Sequence, residues 1–349
     1  MKKSRKNSNS ILKTILVIIT FILLTGCGSI QLKKNQPTNI SETQTSQSSK
    51  NIAQNKHFAA VITSEHDTFE SLAEKYLNDA DLHWVIEDFN HVVKIRANQE
   101  IIIPLKSINP RGIHPSGYQT VPILCYHRFG KGHLKLSVSS NNFRKQLSYL
   151  KKNHYRVIPL KSLIDFLAGK KPIPKRSVVI TIDDGYRSAH EKAFPILKEF
   201  NFPATVFLYS DFVGAKDSLT WDQMREMQRS GLVDFQSHSK SHPNLTIQQT
   251  DENNQAYLDR INNEIAIPSK MISQKFNTEN YSFAYPYGEA NDAVLAALFT
   301  YNLSLGVTVT PGSNSSFSHP LLLHRTMIFG DHSHEEFQNT LQTFKDIEL

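Results

Sequence analysis

The sequence predicts an α/β protein: a parallel (β/α) barrel of seven or eight strands over residues 120–349, preceded by a small β-α-α-β unit over residues 58–105. Three observations carry this. From Thr120 onward, apolar runs of strand length alternate with segments of helical period. Ionisable residues stand at the ends of successive runs, where a parallel barrel gathers its chemistry. The chain has 349 residues, 39% of them hydrophobic and 10% aromatic, enough for a sizeable core and a second unit.

The first element is not part of the fold. MKKSRKNSNS is basic, ILKTILVIITFILL is apolar and LTGC follows, the order of an export signal over residues 1–26. An uncut anchor is the alternative, but the basic-free run Thr14–Thr25 is shorter than the ~20 residues that span a bilayer. Cys27 directly after Leu-Thr-Gly resembles the lipobox of bacterial lipoproteins, which implies export, lipid on Cys27 and anchoring at the cell envelope, on the periplasmic side and at the outer membrane where the cell has one. Loss of Lys2, Lys3, Arg5, Lys6 and Lys13 lowers the formal charge from +7 to +2. With no basic stripe, nucleic acid is excluded as a partner. Cys125, in VPILCYH, is then the one remaining cysteine and reads as a buried small hydrophobe.

Residues 27–57 are rich in Ser, Thr, Gln and Asn and predict a disordered linker. Residues 58–105 follow as a strand (FAAVIT), a turn, two helices (FESLAEKYL and LHWVIEDFN) and a closing strand (EIIIPL). His66-Asp67-Thr68 before the first helix, Asn90 after the second and Ile103-Pro104 at the end resemble the pattern of LysM modules, with His66 in place of their glycine. That resemblance implies binding of N-acetylglucosamine-containing glycans such as peptidoglycan. A Pro/Gly-rich joint, residues 106–119, leads into the barrel.

The predicted barrel strands are VPILCYH, YRVIPL, SVVITID, ATVFLYS, LVDFQSH, YSFAYPY, LSLGVTVT and LLLHRTMI. Their ends carry His127, then Asp183 and Asp184, then His238 and His242, then Tyr287, then His324. Burying two adjacent carboxylates costs several kcal/mol unless a cation or proton compensates. His238 and His242 stand four apart, close enough to share one ion. With one carboxylate they make a His₂Asp set suited to zinc or another divalent transition metal, and three protein ligands leave a position for water. The other carboxylate stays free as a base.

Thr181-Ile-Asp183-Asp184-Gly185, His238-Ser-Lys-Ser-His242 and Phe283-Ala-Tyr-Pro286-Tyr287-Gly288 together resemble three motifs of the polysaccharide deacetylases of carbohydrate esterase family 4. The resemblance covers about Thr120–Ile328. It implies a distorted (β/α)7 barrel and metal-dependent removal of acetyl groups from N-acetylated sugar polymers. Carried over by motif position, Asp183 is the general base, and Asp184, His238 and His242 hold the metal, Zn2+ ahead of Co2+ or Ni2+. The backbone N–H of Tyr287 helps bind the oxyanion.

The family often has an arginine after the Phe of its third motif, orienting the base; here that position is Ala284. FAYPYG with an early Tyr126-His127 resembles the branch that includes poly-N-acetylglucosamine deacetylases, where the early histidine is proposed as general acid. Other branches take the acid from a late Leu-x-His, and this chain offers both His127 and His324. His127 is favoured, with Arg325 in the orienting role. Trp221 and Phe235 read as barrel packing, and His319, His332 and His334 as surface or turn residues. Two other functions compete: a glycan-binding envelope protein with an inactive barrel, and a metal-dependent hydrolase of another bond. Intact Asp183, Asp184, His238 and His242 argue against the first.

Overall fold

The computed structural model describes residues 49–130 and 135–347. The expected signal segment, Cys27 and most of the expected linker lie outside them.

The first described unit is a three-stranded antiparallel sheet, β1 (Lys50–Gln54), β2 (Phe58–Ile62) and, after helices α1 (Phe69–Leu77) and α2 (His83–Asn90), β3 (Glu100–Pro104), in the order β1-β2-β3. Strand alternation turns Ala59, Val61, Ile101 and Ile103 to one face, where they pack with Phe69, Leu72, Ala73 and Ile86 of the helices. Thr68 caps α1 in a reciprocal box with Ser71. Asn90 ties α2 to β3, donating to the carbonyls of Ile86 and Ile102 and accepting the Ile102 N–H. The expected linker over 27–57 is corrected in its last part: Lys50–Gln54 is a fully exposed edge strand on β2. This unit contacts the larger one through Glu87, paired with Arg156, and Asp88, which accepts the Lys175 N–H at 3.0 Å.

The larger unit opens with the hairpin β4 (Ile113–His114) and β5 (Gly117–Gln119), then runs through β6 (Val121–Tyr126), the short pair β7 (Arg128–Phe129) and β8 (Ser137–Val138), α3 (Ser140–Lys152), β9 (Arg156–Val157), α4 (Ser162–Leu167) and β10 (Ser177–Ile182). α5 (Phe194–Phe200), β11 (Ala204–Leu208), α6 (Trp221–Arg229), β12 (Val233–Ser237), α7 (Asn254–Phe276), β13 (Ser282–Ala284), α8 (Asp292–Thr300), β14 (Leu305–Val307), β15 (Ser313–Asn314) and β16 (Thr326–Met327) follow, and α9 (His334–Asn339) and β17 (Phe344–Asp346), which pairs antiparallel with β5, complete it.

Six of these strands lie side by side and parallel in the order β14-β13-β12-β11-β10-β6, with β16 parallel to β6 on its other side. The sheet curls. Leu323 bridges to Val307 of β14, its N–H reaching Gly306 O at 2.9 Å, while the Ile328 N–H reaches Cys125 O of β6 at 2.9 Å. One segment, Leu323–Ile328, is thus hydrogen-bonded to both edges of the curled sheet. The expected eighth strand, YRVIPL, shrinks to β9, which pairs only with Ser177 and Val178 at the start of β10.

β6 and β10 are buried at every residue, as strands covered on both sides must be. Phe143, Leu147, Leu150, Ile196, Leu197, Met224 and Met227 of α3, α5 and α6 cover one part of the sheet; Tyr257, Ile261, Val294 and Leu298 of α7 and α8 cover another. Phe235 stacks on Phe276 with ring centroids 4.7 Å apart, and Trp221 lies against the same ring, so both pack the core as expected.

Candidate active site

β10 ends at Ile182, and the chain turns at once: Asp184 and Gly185 have φ of 70° and 74°. Gly185 takes its left-handed φ without strain, and a Cβ there would lie 2.6 Å from Leu208 Cδ2 and push that methyl aside. The turn sends the two carboxylates to different partners.

Asp183 faces into the curled sheet and meets Arg325, which is fully buried. Arg325 Nη1 donates to Oδ1 and Nη2 to Oδ2, both at 2.7 Å, while Nε donates to Thr308 O at 2.8 Å and Nη1 also to Thr181 Oγ1 at 3.2 Å. Burial by itself raises the Asp183 pKa, but the guanidinium, with His238 and His127 behind it, holds the carboxyl well below the usual carboxylate range. The Cys125 thiol, kept protonated because burial pushes it up, donates to Asp183 Oδ2 at 3.4 Å. His127 stands on the same side, its ligand atom within 4.8 Å of those of Cys125 and Asp183. Its Nδ1 is buried and has no hydrogen-bond partner among the described residues.

Asp184 faces a loop after β12, whose His238 Nε2 also lies 3.9 Å from Asp183 Oδ2. Asp184 Oδ1 lies 3.5 Å from His238 Nε2 and 3.6 Å from His242 Nε2, and the two Nε2 atoms are 3.2 Å apart. His238 Nδ1 is 2.8 Å from Ala284 O, an acceptor only, which places the proton on Nδ1 and the lone pair of Nε2 in the cluster. Burial lowers the His238 pKa against the pull of Asp183 and Asp184. Three donors separated by 3.2–3.6 Å match a tetrahedral ion with bonds of ~2.1 Å, whose ligands stand about 3.4 Å apart. The N₂O donor set fits a divalent transition metal.

Tyr287 forms a rim to this cluster. Its φ of 61° lifts the side chain to 62% exposure, with the ring 5.1 Å from that of His242. Among the described residues no acceptor takes its amide N–H. A cleft of about 510 Å³, bordered by His91, Val93, Tyr155 and Arg176, lies elsewhere and contains none of these residues.

Residues 170–306 match the family model described as polysaccharide deacetylase. The Staphylococcus aureus (strain MRSA252) poly-beta-1,6-N-acetyl-D-glucosamine N-deacetylase is 31% identical over 202 residues, 54% of this chain and 68% of that protein. The chain belongs to the polysaccharide deacetylase family. It is an enzyme of the deacetylase class that its motifs implied. YxkH of Bacillus subtilis (strain 168), named for the same family, is 29% identical over 228 residues, 64% of this chain and 77% of that protein. Among solved structures, Streptococcus pyogenes deacetylase PplD in complex with acetate superposes with a TM-score of 0.59 at 27% identity, covering 64% of this chain and 98% of that one.

In this deacetylase the sequence-predicted residues fall into three groups. Asp184, His238 and His242 converge, and Asp183 and His127 stand beside them with Arg325 on Asp183. Tyr287 rims the cluster. His324 does not join them. The run LLLHR is not a strand that ends at His324: β16 begins two residues later, and its pairing of Thr326 with Leu124 puts His324 level with Pro122, at the opposite end of β6 from His127. Its side chain is exposed and lies against Gly312. Strand alternation that aims Arg325 at Asp183 necessarily aims His324 away. Cys125 is the contact that sequence reasoning missed. It shares a strand face with His127, two residues on, and that spacing was the available signal.

Proposed function

We propose that the protein removes acetyl groups from polymers of N-acetylglucosamine in a metal-dependent reaction, with β-1,6-linked poly-N-acetylglucosamine ahead of peptidoglycan as substrate. The observation that supports it best is the pairing of an Arg-clamped Asp183 with a neighbouring Asp184, His238 and His242 donor set. The named S. aureus relative points to the polymer.

Asp184, His238 and His242 would hold the cation, Zn2+ before Co2+ or Ni2+. When bound there, such a cation would supply Lewis acidity towards the acetyl carbonyl and water, and Asp183 would accept the proton of the attacking water. Arg325 keeps Asp183 ionised and fixes its plane. His127 gives a proton to the leaving amine, and its unpartnered Nδ1 is a site from which a proton can move. The Tyr287 N–H binds the developing oxyanion. The 58–105 unit holds glycan near the enzyme, and lipid on Cys27 keeps the exported chain at the envelope.

Acetate release from poly-β-1,6-N-acetylglucosamine, peptidoglycan and chitin oligomers, with and without chelator, tests this reading. Chelator-sensitive release, fastest from the first, is expected. Release from peptidoglycan alone would reverse the substrate assignment, and release from none would favour glycan binding without catalysis.

A further inference from the structure

Both histidines of the cluster sit on one loop, His238–His242, whose backbone is strained: Ser239 and His242 have φ of 73° and 62°. Three polar groups of this loop converge on one buried side chain. Glu264 Oε2 accepts the N–H of Lys240 at 2.9 Å and of Ser241 at 2.8 Å, and Oε1 accepts the Ser241 hydroxyl at 2.7 Å. The loop's carbonyls are engaged on another side, Ser239 O by the Ser210 N–H at 3.2 Å and Lys240 O by the Asp211 N–H at 2.9 Å.

Glu264 is 6% exposed and projects from α7, on a stripe otherwise made of Tyr257, Ile261, Ile265, Pro268, Ile272 and Phe276. It is the one charged residue of that stripe. Among the described residues no cationic side chain lies within ion-pair distance of it. Lys240 and Arg260 act on it only from beyond that distance, and its direct hydrogen bonds come from two amides and a hydroxyl, all of the histidine loop.

We infer that Glu264 is the positioning residue of the metal cluster: it clamps the strained loop so that His238 Nε2 and His242 Nε2 face Asp184 before a cation arrives. The inference rests on the reading of Asp184, His238 and His242 as the metal site.

The test measures Zn2+ affinity of the full chain by competition with a chromophoric chelator, together with the visible spectrum of the Co2+ form. Glu264→Ala should weaken Zn2+ binding roughly 10–100-fold, the usual effect of losing a partner behind the ligands, and blur the tetrahedral Co2+ bands. Glu264→Gln should recover most of the affinity, because its amide oxygen accepts both N–H groups and its NH₂ donates to Ser241 Oγ. Ile261→Ala, on the same stripe, should lower the melting temperature and leave the affinity unchanged. Equal weakening by Ile261→Ala would overturn the clamp in favour of a general loss of packing. Should Glu264→Ala fail to fold, Ser241→Ala and Glu264→Asp carry the test, and wild-type affinity in both overturns the inference. A wild-type chain that takes up no metal overturns the underlying reading and the clamp with it. A wild-type chain that binds metal no better than a folded Glu264→Ala overturns the clamp alone.

Discussion

Arg325 and Asp183, 142 positions apart in the chain, face each other through two parallel hydrogen bonds of 2.7 Å in the buried interior of the sheet. A bidentate pair of this kind fixes the carboxylate plane as well as its charge. It also couples folding to protons.

Because the folded pKa of Asp183 lies below its unfolded value of ~3.9, the stability it contributes is complete above about pH 5 and drains away as pH falls below that. Urea midpoints should therefore begin to fall below about pH 6.5, where unfolding lets the buried His238 take up a proton, and fall further below about pH 5 as Asp183 adds its share. Asp183→Asn should flatten the limb below about pH 5 while lowering stability at neutral pH by ~3–5 kcal/mol, since Arg325 is left buried and unpaired. An acid limb as steep as in the wild type would place the sensitivity in other carboxylates.

The two adjacent aspartates should separate cleanly on metal analysis. Asp184→Asn, His238→Ala and His242→Ala each remove one of three donors, so bound metal should fall well below one per chain. Asp183→Asn should keep its metal and lose roughly 10²–10⁴-fold in rate. Full metal occupancy in Asp184→Asn would refute the donor set.

His127→Ala should retain metal, lose amide hydrolysis and be much less impaired on an activated acetate ester, whose leaving group needs no proton. His324→Ala, far from the cluster, should be close to silent. The reverse outcome in both variants would transfer the acid role to His324.

Gly185→Ala should be strained by its φ of 74° and by the Leu208 methyl 2.6 Å from the new Cβ. A loss of ~1–3 kcal/mol is expected, with a fall in rate as Asp184 shifts. Trimming Leu208 to Ala in the same chain should relieve the contact part of the loss, which a double-mutant cycle would read as coupling.

Much of this was legible in the sequence because the signals are local. Repeated apolar runs mark parallel strands buried on both faces, and Asp183-Asp184-Gly185 with His238 and His242 names its own chemistry. What escaped is non-local. β1 is polar and wholly exposed; it exists through backbone pairing with β2, which composition does not register. The three leucines before His324 looked like a strand, but β16 begins only at Thr326, and the register that places His324 at the far end of β6 is set by pairing. Cys125 looked like filler because its partner lies on another strand, and Glu264 carried no local signal because the loop it meets lies more than twenty residues away.

The segment Leu323–Ile328 joins both edges of the sheet and carries Arg325. A nascent chain that has reached residue 320 already contains Asp183, Asp184, His238 and His242, yet lacks the cation that lets Asp183 be buried ionised. Closure of the sheet and pairing of Asp183 with Arg325 are therefore a single event. A chain whose Leu323–Ile328 segment has not yet docked can bring Asp184, His238 and His242 together, but it leaves Asp183 without the guanidinium that the folded site gives it.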